Sequence, residues 1–193
     1  MSKDNGYIPA IILTIIVLVT TGLLALTSGL TQAARDEQAV AAANANRLAV
    51  YPTAGTFEPI DLTQYAAKNP GVTEAYIVHD VQGALIGYLY QSEFRGYSSA
   101  VPVLVAISPN NRILKALVLE NDETPGLGKK VADESFIGQF VGLDTTKVYT
   151  VKPNETDKTL LDAIAGATIS STAVTRAINQ ANALHQLVAT EVK

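Results

Sequence analysis

The longest run of apolar positions lies at the N-terminus. From Asn5 to Ala34 the chain carries no charge, and Ile8 to Leu30 is almost wholly Ile, Leu, Val, Ala and Thr. A helix rises about 1.5 Å per residue, so roughly 20 such residues cross a hydrocarbon core of about 30 Å. The pattern predicts one membrane-spanning helix over residues 8–30. Its threonines can return their hydroxyls to the helix's own carbonyls and need no outside partner. A cleaved secretory signal is the competing reading, favoured by Lys3 and the small residues of "LTQAA". Its apolar region would be about 7–15 residues, and this one is longer. The tail carrying Lys3 (residues 1–7) is expected to stay cytoplasmic, which puts residues 35–193 across the membrane.

Beyond the span, "RDEQAVAAANANRLAV" has a polar face and predicts a juxtamembrane helix over residues 31–50. "YPTAGTFEP" then breaks it with two prolines and a glycine. "DLTQYAAKNPG" reads as a short helix stopped at Pro70 and Gly71. From there the period shortens. "EAYIVHD", "ALIGYLYQ", "AVPVLVAIS" and "RILKALVLE" are β-rich runs separated by turn residues. Alternation at Val103, Val105 and Ile107, and at Ile113, Ala116 and Val118, predicts a hairpin closed at residues 108–111. A helix is expected near residues 133–140 and a strand at "KVYTVK". Val174, Ile178, Ala181, Leu184, Leu187 and Val188 form one helical stripe, predicting a helix over residues 171–192. Hairpins followed by helices, with no βαβ repeat, indicate an α+β domain over residues 51–193 behind a single N-terminal helix.

Composition narrows the chemistry. The net charge is −4 with 14 Lys and Arg among 193 residues, and no basic stripe suits nucleic acid. The chain has no cysteine, which removes disulfides, thiolate zinc sites and cysteine-ligated clusters. His79 sits at a strand end beside a turn, and His185 is expected on a helix surface. Neither has companions for a metal site or a catalytic dyad. "PGLGKKVA" fails both nucleotide-loop patterns, lacking a glycine at Val131 for one and Ser or Thr at Lys130 for the other.

Two segments remain. In "ENDETPGLG" (residues 120–128), Pro125 fixes φ and Gly126 is free to take a positive φ, which makes a tight turn. Gly126 and Gly128 bracket Leu127, so backbone can come close to a flat ligand while one apolar side chain faces it. In "DAIAGATISST" (residues 162–172), Gly166 and Ala167 clear space beside the Thr168 hydroxyl. The following helix offers unpaired N–H groups and a positive dipole end, which favour phosphate. Taken alone, the same residues make Thr168 or Ser170 an N-cap.

Together, the N-terminal span, "ETPGLG" and "D-x-x-x-G-A-T" resemble the G subunit of the Rnf electron-transport complex, over nearly the whole chain. The C subunit of the Na⁺-translocating NADH:quinone oxidoreductase shares both motifs and is usually longer. This chain departs at Ala165, where the family often has Ser or Thr, and at "GYSSAV", where it has a more glycine-rich stretch. The resemblance implies an FMN-binding domain with FMN joined through its phosphate to Thr168 by a flavin transferase. Asp162, Gly166 and Ala167 are the matching recognition positions. Glu123, Thr124, Gly126 and Leu127 are expected to pack on the flavin, with Ser171 and Thr172 near the phosphate. No catalytic side chain and no metal are implied, since the isoalloxazine carries the redox change. The implied role is an electron relay between iron–sulfur membrane subunits and a second flavin subunit, in a complex that moves Na⁺ or H⁺. The implied location is the plasma membrane, single-pass, with the flavin domain outside the cytoplasm. Two alternatives stand beside it: the FMN subunit of the quinone reductase, and a membrane-tethered binding or regulatory domain without redox function.

Overall fold

A computed structural model describes residues 7–191. Lys3 and the rest of the expected cytoplasmic tail up to residue 6 lie outside the described residues, as does Val192. The chain forms two compact units, one ending at Ala45 and one beginning at Asn46.

Among the described residues, the first unit is built on one helix. α1 runs without interruption over Ile8–Val50, so the expected span and juxtamembrane segments are one element, whose last turns belong to the second unit. Its apolar side chains stand exposed, and an 18-residue window has a mean hydropathy of 2.5. The helix is long and apolar enough to cross a bilayer. Thr14, Thr20 and Thr27 each return the hydroxyl to a carbonyl four residues back at 2.8 Å, as the sequence predicts.

The second unit is built on an antiparallel five-stranded meander in the order β1 (Ala54–Pro59), β2 (Val72–Asp80), β3 (Leu85–Arg95), β4 (Ala100–Ile107) and β5 (Ile113–Val118). Strands β3 and β4 are buried on both faces. Tyr88, Tyr90, Val103, Val105 and Ile107 belong to the main core. Leu89, Leu104 and Ala106 belong to a smaller one with Val50 and Tyr51. This follows from the two-residue period of a strand. The main core is covered by α3 (Thr168–Glu191), whose Val174, Ile178, Ala181, Leu184 and Val188 form the predicted stripe. On the opposite face, Tyr51 Oη donates to the Ile107 carbonyl at 2.8 Å. Gly87 makes room for it, since a Cβ there would overlap that oxygen.

The β4–β5 hairpin turns where the sequence places it. Ser108 N–H donates to Arg112 O, and Asn111 takes a positive φ of 58°. Several expectations change. Residues 51–59 do more than break the helix: β1 pairs with β2, and Gly55 permits the close approach, its missing Cβ lying 2.6 Å from Asp80 O. Residues 61–71 form successive turns and no continuous helix. Asp61 Oδ1 caps them by accepting from the N–H and the hydroxyl of Thr63. The bonds of Ala66 N–H to Leu62 O and of Asn69 N–H to Tyr65 O do not continue past Pro70. The helix expected near residues 133–140 shortens to α2 (Glu134–Ile137) followed by a 3₁₀ turn over Gly138–Phe140. "KVYTVK" contributes only β6 (Tyr149–Thr150), paired in parallel with β7 (Thr159–Leu160).

His185 is a further correction: it lies fully buried in the core and not on the helix surface. Its Nε2 faces Asn111 Oδ1 at 2.9 Å and its Nδ1 faces Tyr90 Oη at 3.1 Å. An amide oxygen only accepts, so Nε2–H donates to Asn111 and Nδ1 accepts from Tyr90, as the neutral imidazole requires. Burial pushes the His185 pKa down to about 4.

Candidate functional site

Three loops converge at the N-terminus of α3. The first is the β3–β4 turn around Tyr97, the second is residues 123–128, and the third is residues 166–170. They enclose a cavity of about 550 Å³ lined by Tyr97, Glu123, Thr124, Leu127, Gly128 and residues 166–170. That size lies within the roughly 300–1,000 Å³ of sites that enclose small molecules.

The 123–128 loop has the local geometry its residues dictate. The Thr124 carbonyl accepts from Leu127 N–H and Lys129 N–H, both at 3.2 Å. Gly126, at φ 75°, takes the left-handed position after Pro125. The turn leaves the Leu127 side chain half exposed at the cavity mouth.

Glu123 joins the three loops. It is 1% exposed, and its carboxylate accepts from Ser98 N–H at 2.8 Å, Ser99 N–H at 3.3 Å and the Ser170 hydroxyl. Burial raises its pKa, but the hydrogen bonds from Ser170 and from the backbone of Ser98, Ser99 and Tyr97 outweigh it and leave the group below the usual carboxylate range. Two glycines shape its seat. A Cβ at Gly96 would lie 2.6 Å from Glu123 Oε1, and one at Gly128 would lie 2.6 Å from Oε2.

The third loop prepares the helix start. Gly166 adopts φ 76°, and a Cβ there would touch Leu127 Cδ2 at 3.4 Å. Ala167 N–H donates to Ile164 O, and the Ala167 carbonyl accepts from Ser171 N–H at 2.9 Å. Ala167 therefore holds the N-cap position, and its side chain has no capping group. Neither Thr168 nor Ser170 caps α3, because both lie inside the helix and the Ser170 hydroxyl is committed to Glu123. Among the described residues the N–H groups of Thr168, Ile169 and Ser170 have no acceptor. Three donors and the positive helix end thus face the cavity beside the exposed Thr168. Phosphate fits the unclaimed N–H groups, and a flat aromatic ring fits the half-exposed Leu127 and the exposed Tyr97 and Ile169.

Of the residues singled out in the sequence, Thr168, Gly166, Ala167, Glu123, Thr124 and Leu127 line this cavity. Gly126 shapes the turn without lining it. Asp162 stands outside the cavity with its side chain exposed, and its backbone N–H and carbonyl are both held by the Gln139 amide, at 2.9 and 3.2 Å. Ser171 is buried, and its hydroxyl accepts from Ile164 N–H at 3.1 Å. Thr172 returns its hydroxyl to the Thr168 carbonyl at 2.7 Å and faces a different cavity. The structure therefore does not bring Ser171 and Thr172 to the Thr168 cavity. Tyr97, Gly128, Ile169 and Ser170 also line it; all four lie within the stretches singled out in the sequence, but none is assigned to the ligand there. The glycines at 96 and 128 are the available signal, since each marks a close approach to Glu123.

Residues 96–183 match the FMN-binding domain family, a span that includes every residue lining the cavity. The chain is 32% identical over 182 residues to the G subunit of the ion-translocating oxidoreductase complex of Methanosarcina acetivorans, covering 93% of this chain and 95% of that one. It is 35% identical over 96 residues to the G subunit of the proton-translocating ferredoxin:NAD(+) oxidoreductase complex of Clostridium ljungdahlii, where the match spans 50% of this chain and 51% of the relative. Among solved structures, the C subunit of the Na(+)-translocating NADH-quinone reductase from Parabacteroides distasonis shares the fold. The TM-score is 0.52 at 20% identity, over 68% of each chain.

Proposed function

The chain belongs to the G-subunit family of ion-translocating oxidoreductase complexes, and we propose that it is a membrane-anchored electron relay carrying FMN as a phosphoester of Thr168. The observation that carries this reading is the set of three unclaimed N–H groups at the start of α3, opening on a cavity whose rim includes the Thr168 side chain. Attachment forms one P–O bond to the Thr168 oxygen, which loses its proton. The phosphorus releases one oxygen-bound leaving group, and that group departs with the proton. Bound FMN supplies the redox chemistry.

The chain's own residues bind and orient. The N–H groups of residues 168–170 hold the phosphate oxygens. Gly166 and Ala167 leave the threonine open to the flavin transferase, for which the exposed Asp162 is a recognition point. Leu127 and Tyr97 flank the space for the ring, and ionised Glu123 keeps the three loops in register. Residues 8–30 anchor the domain in the plasma membrane, with residues 51–193 outside the cytoplasm. The partners are the iron–sulfur membrane subunits and the second flavin subunit of an Rnf-type ferredoxin:NAD⁺ oxidoreductase. G-subunit relatives match over nearly the whole chain, whereas the quinone-reductase protein shares the fold at 20% identity. That difference favours the Rnf-type complex.

Protein made with the flavin transferase and run on a denaturing gel should fluoresce as flavin, and Thr168→Ala should abolish the signal. A wild-type band without fluorescence contradicts the flavoprotein reading, and fluorescence that survives Thr168→Ala contradicts the attachment site.

A further inference from the structure

A second cavity, of about 210 Å³, is lined by α3 residues from Thr172 to Asn179, by β6 and by the loop that follows it. It holds three cationic side chains, Lys152, Lys158 and Arg176, and one carboxylate, Glu155. This is a local reversal in a chain whose net charge is −4. The carboxylate is already committed: Glu155 Oε2 accepts from the Thr150 hydroxyl at 2.7 Å and from Lys158 Nζ at 2.9 Å. Thr150 is 4% exposed, so that end of the cavity is a fixed wall. Arg176 has no anionic partner among the described residues, and its guanidinium lies over the Phe94 ring, 5.2 Å from the centroid. Lys152 Nζ likewise has no acceptor among the described residues.

We propose that this cavity is a binding site for one phosphate group, held by Lys152, Lys158 and Arg176 and separate from the flavin phosphate at Thr168. The charge count selects the ligand. Three cations against one carboxylate leave two positive charges, which a phosphate monoester, at about −1.5 to −2 near neutral pH, neutralises. A single carboxylate would leave one cation uncompensated. The volume is below the roughly 300 Å³ at which sites enclose a whole drug-sized ligand, so the cavity takes a group and leaves the rest of the molecule in solvent. Thr172 and Arg176 lie on one stripe of α3 with Thr168, one turn and two turns on. The two anion sites are thus neighbours on one helix while opening on different cavities.

The test is calorimetric titration of the full chain in neutral detergent, made without flavin transferase, with inorganic phosphate at low ionic strength. Two saturable components are expected, one at the start of α3 and one in this cavity, and only the second depends on Lys152 and Arg176. Lys152→Gln, which removes an exposed amine with no internal partner, should weaken it at least tenfold, and Arg176→Gln similarly. Thr168→Val should leave it unchanged. Glycerol 3-phosphate, run in parallel, separates a site for free phosphate from one for a phosphate ester: only the former rejects it. No saturable binding, or binding unchanged in both cation variants, would overturn the proposal. So would binding lost in Thr168→Val alone, which would move the phosphate to the start of α3.

Discussion

The Ser170 hydroxyl donates to Glu123 Oε2, so the first turn of α3 is fastened to a loop 47 residues earlier in the chain. The same carboxylate takes N–H groups from Ser98 and Ser99. Replacing Glu123 by Gln can keep an amide oxygen for Ser98 and Ser99. It also places an NH2 donor against Ser170, whose hydroxyl must turn to accept, and it removes the charge from all these bonds. Hydrogen bonds to a charged group are worth about 1.5–3 kcal/mol against about 0.5–1.5 kcal/mol for neutral ones, so Glu123→Gln should lose about 2 kcal/mol in urea unfolding. Ser170→Ala, which leaves the backbone donors in place, should lose about 1 kcal/mol. Flavin loading should fall in the same order.

Two glycines of the 123–128 loop should separate by mechanism. Gly126→Ala meets open space and strains only a φ of 75°, a cost of about 1 kcal/mol, and should leave loading near wild type. Gly128→Ala would place a Cβ 2.6 Å from Glu123 Oε2 and 2.9 Å from Ser170 Oγ. It should therefore disrupt the link between the loops and cut flavin incorporation severalfold, measured as visible flavin absorbance per mass of protein. Equal loading in the two variants would contradict the role given to Glu123.

His185 sets an acid limit to stability. Its pKa falls from 6.5 to about 4 in the folded chain because burial disfavours the charged imidazole. Between those values the unfolded chain binds a proton that the folded chain does not. This stabilisation is therefore full above pH 6.5 and is lost as pH drops towards 4. At about 1.4 kcal/mol for each pH unit, the loss is about 3 kcal/mol. His185→Gln should flatten that part of the pH–stability curve, even though it lowers stability at neutral pH.

Tyr51 and Gly87 should behave as a coupled pair. Tyr51→Phe leaves the buried Ile107 carbonyl without this donor and should cost about 1–2 kcal/mol. Gly87→Ala drives a Cβ into the Tyr51 oxygen and should cost more. Part of that cost should be recovered in the double variant, measured as a non-additive change in the unfolding midpoint.

Strands β2 to β5 are legible in the sequence as β-branched and aromatic runs bounded by turn residues; in β4 the pleat sends Val103, Val105 and Ile107 to the main core and Leu104 and Ala106 to the smaller one. The stripe on α3 is legible because its apolar positions keep the helical period. β1 is hidden because Pro52 and Gly55 carry a breaker signal, and pairing through a close approach to Asp80 is non-local. His185 follows Ala181 by four and precedes Val188 by three, so it sits on the apolar stripe. The pattern holds its burial, whereas its partners Tyr90 and Asn111 come from distant segments. At the site, Thr168 and the 123–128 turn stand out through local spacing. What Glu123 binds does not, since hydrogen bonds between loops leave no periodic trace. Nothing local therefore distinguishes Ser170 and Tyr97, which line the cavity, from Ser171 and Thr172, which do not.

Whether Thr168 carries the flavin is decided by the mass of the proteolytic peptide containing it, from protein made with and without the flavin transferase. The expected result is a gain equal to FMN less one water, mapped by fragmentation to Thr168 and absent without the transferase. An unmodified Thr168 peptide from protein that nevertheless carries covalent flavin, or a flavin mapped to Ser170, Ser171 or Thr172, would contradict it.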